Sequence, residues 1–256
     1  SVTDRQTGMT TSGGGIRLWH EPWRYGGQDI FPALADREEL ATAGSPRLVE
    51  RGPVRAAIRW PVRLGDYVGS VTARLWAGLP WVELTVAMDP AETTPAADLR
   101  TFVVKWRVPG SERWAHGSPF GYADEKPAAD RMAPGDDRIL RRWQDNWGAA
   151  GGMALLDTGP QNGAAGRGWM RYTLLRYGHG AWWDRPYPFR IRFALYPHAG
   201  NWQDGDVPAM AARLNAPSLA QSGRIRAQDA QGPAISHTHF LTHSHTHFLT
   251  RSLAQR

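Results

Sequence analysis

Hydrophobic and polar positions alternate with a period of two through long stretches of this chain. In PVRAAIRWPVRL, Val54, Ala56, Ile58, Trp60, Val62 and Leu64 fall on one face, and Arg55, Arg59 and Arg63 fall on the other. A strand with one face on a core and one in water carries this pattern, because successive side chains point to opposite faces of a sheet. The turn LGDY leads into YVGSVTARLW (67–76), which alternates through Val71, Ala73 and Leu75. AGLP then turns the chain into WVELTVAMD (81–89), with Val82, Leu84, Val86 and Met88 as the inward set and Glu83 and Asp89 on the solvated face. Three strands joined by Gly- or Pro-containing turns predict an antiparallel meander. The same reading predicts strands over 100–108, 152–158, 169–176 and 189–196.

Between these strands the pattern changes. The stretch SERWAHGSPFGYADEKPAADRMAPGDDR (111–138) is punctuated by Pro and Gly and reads as a long loop. A loop of that length in a compact domain is usually functional or ordered by its own contacts, so Tyr122, Asp124 and Glu125 become candidates for a site. One helix is predicted, with Asp206 as its cap, Pro208 in its first turn and AMAARLN as its body. The octet HTHFLTHS (237–244) is followed at once by HTHFLTRS (245–252). That period is far shorter than the roughly 20–50 residues of repeat architectures, so the repeat is a duplication and not a structural unit. Residues 1–222 therefore read as one domain, a large antiparallel β-sandwich with one short helix, and residues 223–256 as a disordered His-rich tail. No carboxylate accompanies His237, His239, His243, His245 and His247, so no metal is assigned to the tail.

Composition narrows the function classes. The chain has 256 residues and no cysteine, which excludes disulfides, thiolate metal sites and a cysteine nucleophile. No apolar run approaches the roughly 20 residues of a membrane span, and SVTDRQTG lacks the pattern of a signal peptide. A soluble protein with no membrane partner is expected, and a chain that opens on Ser1 fits a fragment or a processed form. The net charge of +6 comes from arginines scattered along the strands, Lys105 and Lys126 being the only lysines. A nucleic-acid partner is set aside, because its footprint is a contiguous basic patch with a recognisable motif. The 13 tryptophans are either core mass or flat faces that stack on sugar rings.

Several stretches, taken in order, resemble the C-terminal β-sandwich region of glycoside hydrolase family 38, the α-mannosidases. They are VTDRQTG, LVERGPVRAAIRW, LPWVELTVAMD, RRWQDNWG, GGMALLDTG, YTLLRYG, FALYPHAGNW and ARLNAPSL, and they span roughly residues 2 to 220. The resemblance implies a supersandwich of the galactose-mutarotase-like kind, packed behind a separate N-terminal catalytic domain. That domain holds a zinc ion on histidines and aspartates and supplies an aspartate nucleophile for retaining hydrolysis of α-mannosides. None of its motifs is in this chain, so the resemblance implies no catalytic residue and no cofactor here, with zinc in the missing domain. The implied partners are the catalytic domain of the same parent enzyme and a mannoside, and the piece alone is expected to be inactive. A free-standing carbohydrate-binding sandwich is the alternative.

Five residues stand out as carbohydrate or domain-interface candidates: His198, Trp202, Arg176, Tyr122 and Trp143. In FALYPHAGNW a strand ends at Pro197, with His198 and Trp202 either side of the break at Gly200. His198 either faces the catalytic domain or a sugar, or bonds backbone groups that the break leaves open; the second reading is favoured. Trp202 either stacks on a sugar or caps the sandwich. Arg176 either grips a hydroxyl or carboxylate, or forms a structural ion pair with Asp157. Trp143 and Trp147 read as core or interdomain packing. The accessory-domain reading also predicts an exposed, Trp-rich apolar face where the missing domain docks.

Overall fold

Every ladder in the fold is antiparallel, and the strands join into a sheet of fifteen that folds over on itself. The computed structural model of the chain describes residues 2–3, 8, 10–21, 37–96, 98–125, 138–178 and 185–216. The histidine repeat, and every residue from 217 on, lies outside them. The strands are β1 (Val2–Thr3), β2 (Thr10–Glu21), β3 (Arg37–Leu40), β4 (Thr42–Ala43) and β5 (Arg47–Arg51). The meander follows as β6 (Arg55–Leu64), β7 (Tyr67–Trp76) and β8 (Val82–Pro90), and β9 (Leu99–Arg107) comes next. The rest are β10 (Arg113–Ser118), β11 (Gly121–Glu125), β12 (Arg138–Gly148), β13 (Gly151–Gly166), β14 (Trp169–Gly178) and β15 (Phe189–His198). A single helix, α1, spans Val207–Asn215.

One leaf runs β3–β2–β9–β14, with β1 also on β2, and the other runs β15–β8–β7–β6, with β4 and β5 on the far edge of β6. The 16-residue β13 joins them. Its residues Gly152–Asp157 pair with β15, while Gly163–Gly166 pair with β14, and β12 lines its other edge. The sandwich is thus sewn along one side by β13 and unsewn along the other, where β2 faces β6.

Between the leaves lies the main core. It takes Ile16 and Leu18 from β2, Phe102, Val104 and Trp106 from β9, and Val62, Leu64, Val71, Val86 and Met88 from the meander. The predicted inward faces of β6 and β8 are the observed ones, except that Val54 lies before β6 and is exposed. A second core sits on the outer face of the other leaf, where α1 covers Trp143, Ala154, Leu156, Ala194 and Tyr196 with Val207, Ala211 and Leu214. Met153 and Leu155 point into the first core and Ala154 and Leu156 into the second, so β13 is buried on both faces. Near the unsewn side an apolar cavity of about 340 Å³ remains between the leaves, bordered by Gly13–Gly15, Trp60, Ala73, Leu75, Leu84 and Trp106.

Three expectations change. The stretch from 113 to 125 is not a loop but the hairpin β10–β11, and β10 pairs with β12. Trp114, Ala115, His116 and Gly117 are all buried, so no alternation announces the strand. Glu83 is buried and not solvated: it lies 3.4 Å from Arg74 and 3.8 Å from Arg192, which balance its charge. Asp206 holds the position before the helix, but at φ 49° and ψ 40° its side chain makes no capping bond. Pro208 does sit in the first turn, where its missing N–H costs nothing. Among the described residues no helix is long and apolar enough to cross a membrane.

Candidate functional site

The corner after β15 is built around His198. Pro197 stands opposite Met153 and His198 opposite Gly152 in the β13–β15 ladder. Beyond it the chain turns through Gly200, and Asn201 Oδ1 accepts the N–H groups of Gln203 (2.8 Å) and Asp204 (3.0 Å). Tyr196 Oη–H donates to the Gly205 carbonyl at 2.9 Å, which ties the turn back to β15. The imidazole slots between two glycines. A Cβ at Gly152 would meet its Cε1 at 2.4 Å, and one at Gly205 would meet its Nδ1 at 2.5 Å.

His198 Nε2 lies 3.0 Å from Asp145 Oδ1, and Nδ1 lies 3.1 Å from the Ala199 carbonyl. A carbonyl accepts only, so Nδ1 carries the hydrogen, and one further proton is shared between Nε2 and the carboxylate. Both side chains are buried. Burial opposes the imidazolium, but the hydrogen bond and charge of Asp145 outweigh it and raise His198 above its ordinary value. Burial raises Asp145 in turn, against the pull of His198. This pair is closed to solvent, and what it does chemically is lock the corner to β12.

Around the same corner three of the candidate residues meet. The Trp202 ring stacks on Trp143 at 5.3 Å and tilts against Tyr122 at 4.4 Å. Its indole N–H donates to Asp124 Oδ1 at 3.3 Å. Tyr122 and Asp124 are two apart on β11 and so share a face, while Trp143 and Asp145 do the same on β12. Trp202 is 8% exposed and Trp143 5%, whereas Tyr122 is 54% exposed. Trp147 is half-buried against the second core. The outcome is an aromatic stack with its base in the core and one face, Tyr122, in water.

Arg176 stands elsewhere, on β14 opposite Thr101 in the first leaf. The ion pair expected with Asp157 does not form. The Asp157 carboxylate accepts the N–H of Gly159 at 3.1 Å and that of Arg142, and burial pushes it up to about 7. Glu125, at the end of β11, bonds Arg138 at 2.8 Å and His116 at 3.3 Å. Burial works against its charge, yet these two partners hold it below the usual carboxylate range.

The sequence reading missed Asp145, Gln144 and Asn146. All three are fully buried. Gln144 Nε2 donates to the Arg171 carbonyl, and Asn146 Nδ2 to the Gly166 and Trp169 carbonyls, at 2.7–3.0 Å. These amides tie β12 to the end of β13 and to β14, near where β13 passes from one leaf to the other. The available signal was QDN held between Trp143 and Trp147, three polar residues in a row where a strand should alternate.

No three His, Cys, Asp or Glu side chains gather to hold a metal ion among the described residues, so these residues do not fit a zinc ion. The described tryptophans serve mostly as core. Trp19, Trp81, Trp106, Trp114, Trp143, Trp169 and Trp202 are buried, and the large exposed apolar residues are Leu, Val, Ile, Phe and Tyr. The Trp-rich docking face expected from the sequence is absent among the described residues.

Neither a family model nor a curated protein matches the chain. Solved structures do. An alpha-mannosidase from Enterococcus faecalis superimposes with a TM-score of 0.60 at 9% identity over 88% of this chain. A protein in the glycosyl hydrolase family 38 from Enterococcus faecalis gives 0.62 at 11% identity over 87%. The chain spans 32% and 31% of the length of these two structures. At such identities the likeness establishes the fold, a β-sandwich of the kind found in those enzymes.

Proposed function

We propose that this chain is the C-terminal sandwich part of an α-mannosidase-like glycoside hydrolase acting on α-mannosides. In this reading it supports and completes a zinc-dependent catalytic domain outside the chain. The observation that carries the reading is the superposition of nearly the whole sandwich on about a third of two such glycosidases. The corner of His198 and Trp202 then has a structural task, holding the β10–β11 hairpin and Tyr122 in place at the rim. Sequencing the coding DNA upstream of Ser1 tests the proposal. An in-frame extension with a His/Asp zinc site supports it, and a stop codon directly upstream overturns it.

One observation favours a second reading, a free-standing carbohydrate-binding module. Tyr122 offers water an aromatic face backed by Trp202 and Trp143, and such faces stack on sugar rings. If that reading holds, titration with methyl α-mannoside gives saturable binding that Tyr122→Ala abolishes. No binding by the intact chain rules it out.

A further inference from the structure

Away from the aromatic stack, a second hollow of about 390 Å³ opens between the β10–β11 turn, β12 and the end of α1. Pro119, Ile139, Arg141, Arg142, Gly159 and Asn215 line it. It arises from an irregular step in the β12–β13 ladder. Arg141 stands opposite Pro160 and Trp143 opposite Leu156, so Arg142 alone faces three residues of β13. Asp157 replaces the lost ladder partners by accepting the Gly159 and Arg142 N–H groups. Arg142 is held at φ 74°, a conformation that a long side chain adopts only when its surroundings impose it. Bulges and strained residues of this kind concentrate at ligand sites.

The charges point the same way. Arg17, Arg55, Arg74, Arg100 and Arg138 each reach a carboxylate. The Arg141 guanidinium reaches no carboxylate among the described residues, and Arg142, whose charge also acts on the buried Asp157 carboxylate, lines the same hollow with an exposed side chain. Beside them the wall is apolar and open: Ile139 is 67% exposed, and Phe120, next to Pro119 in the turn, is fully exposed. A guanidinium is a permanent charge with a planar fork of donors that fits an oxyanion. Small-molecule sites combine an apolar lining with a few polar groups in hollows of roughly 300–1,000 Å³.

We propose that this hollow binds an oxyanion carried on an aromatic or aliphatic group, with Arg141 and Arg142 holding the anion and Pro119 and Ile139 packing on the apolar part. The site is distinct from the Tyr122 rim and does not rest on the glycosidase reading. Titration calorimetry of the 256-residue chain at fixed ionic strength tests it, with phenyl phosphate, benzoate, inorganic phosphate and neutral phenyl β-glucoside as probes. Phenyl phosphate or benzoate is expected to bind one to one, inorganic phosphate more weakly, and the glucoside not at all. Whichever of the first two is tighter assigns the anion as phosphate or carboxylate.

Arg141→Gln and Arg142→Gly are each expected to weaken binding about tenfold, the loss of one charge-assisted contact. Glycine at 142 accepts the left-handed backbone, so this variant keeps the fold. Arg190→Gln, an exposed arginine on β15, serves as the control for general electrostatic attraction. Equal weakening by the control, unchanged affinity in both site variants, or equal affinity for phosphate and phenyl phosphate overturns the proposal.

Discussion

His198 sets the terms for its corner because both of its ring nitrogens face acceptors. Removing it by His198→Ala leaves the buried Asp145 with only a backbone N–H of Asn146 and no side-chain partner, and breaking a buried pair in this way costs about 3–5 kcal/mol. Urea unfolding is expected to read a loss of that size. Trp202→Ala is expected to cost a similar amount, because it empties a core position, whereas Tyr122→Ala leaves stability nearly unchanged. A loss of sugar binding in the Trp202 variant would therefore report unfolding, and Tyr122 is the residue to test.

Asp157 gives a pH signature. Its folded value of about 7 stands above its ordinary 3.8, so the folded chain binds the proton more tightly than the unfolded one. Stability from this group falls as pH rises from about 4 to about 7, by up to about 4 kcal/mol at about 1.4 kcal/mol per unit. Asp98 and Glu125, which hydrogen bonds from His20 and Arg100 and from Arg138 and His116 hold low against burial, contribute with the opposite sign. Asp157→Asn is therefore expected to raise stability at pH 8 relative to pH 4, compared with the unmodified chain. Unfolding midpoints at the two pH values, with and without the substitution, read this difference.

Strands and turns show which parts of the sequence could be read. The meander β6–β8 was legible because it separates water from core along much of its length, and alternation records that separation. β10 and the second half of β12 were not, because Trp114–Gly117 and Trp143–Asn146 are buried on both faces, with Gln144, Asp145 and Asn146 among them. Burial of a polar group needs partners that only the fold supplies, here the carbonyls of β13 and β14 and the ring of His198. For the candidate site Trp202 was legible at a chain break, Tyr122 in a stretch read as a loop and Trp143 as packing. Their convergence was not, since it depends on β11, β12 and the turn after β15 coming together. Two substitutions check these elements. Gly152→Ala drives a Cβ into the His198 ring and is expected to cost about 1–3 kcal/mol in thermal unfolding. Asp206→Gly is expected to leave α1 as stable or more so, since the side chain caps nothing and its backbone is left-handed.

The molecule as a whole is a folded-over sheet sewn by β13 on one side, with a cavity of about 340 Å³ near the other. The hollow is open at one side but lined almost wholly by apolar side chains, which hold water weakly, and space left unfilled there is volume that unfolding returns to the solvent. Hydrostatic pressure therefore becomes the natural way to interrogate this fold, since the volume lost on unfolding scales with the void eliminated. The sandwich is expected to unfold at modest pressure from its unsewn side first. Amides of β2 and β6 should lose hydrogen-exchange protection before those of β13. Filling the cavity with Ala73→Leu should shift the pressure midpoint upward, and an unchanged midpoint would mean that water already occupies the space between the leaves.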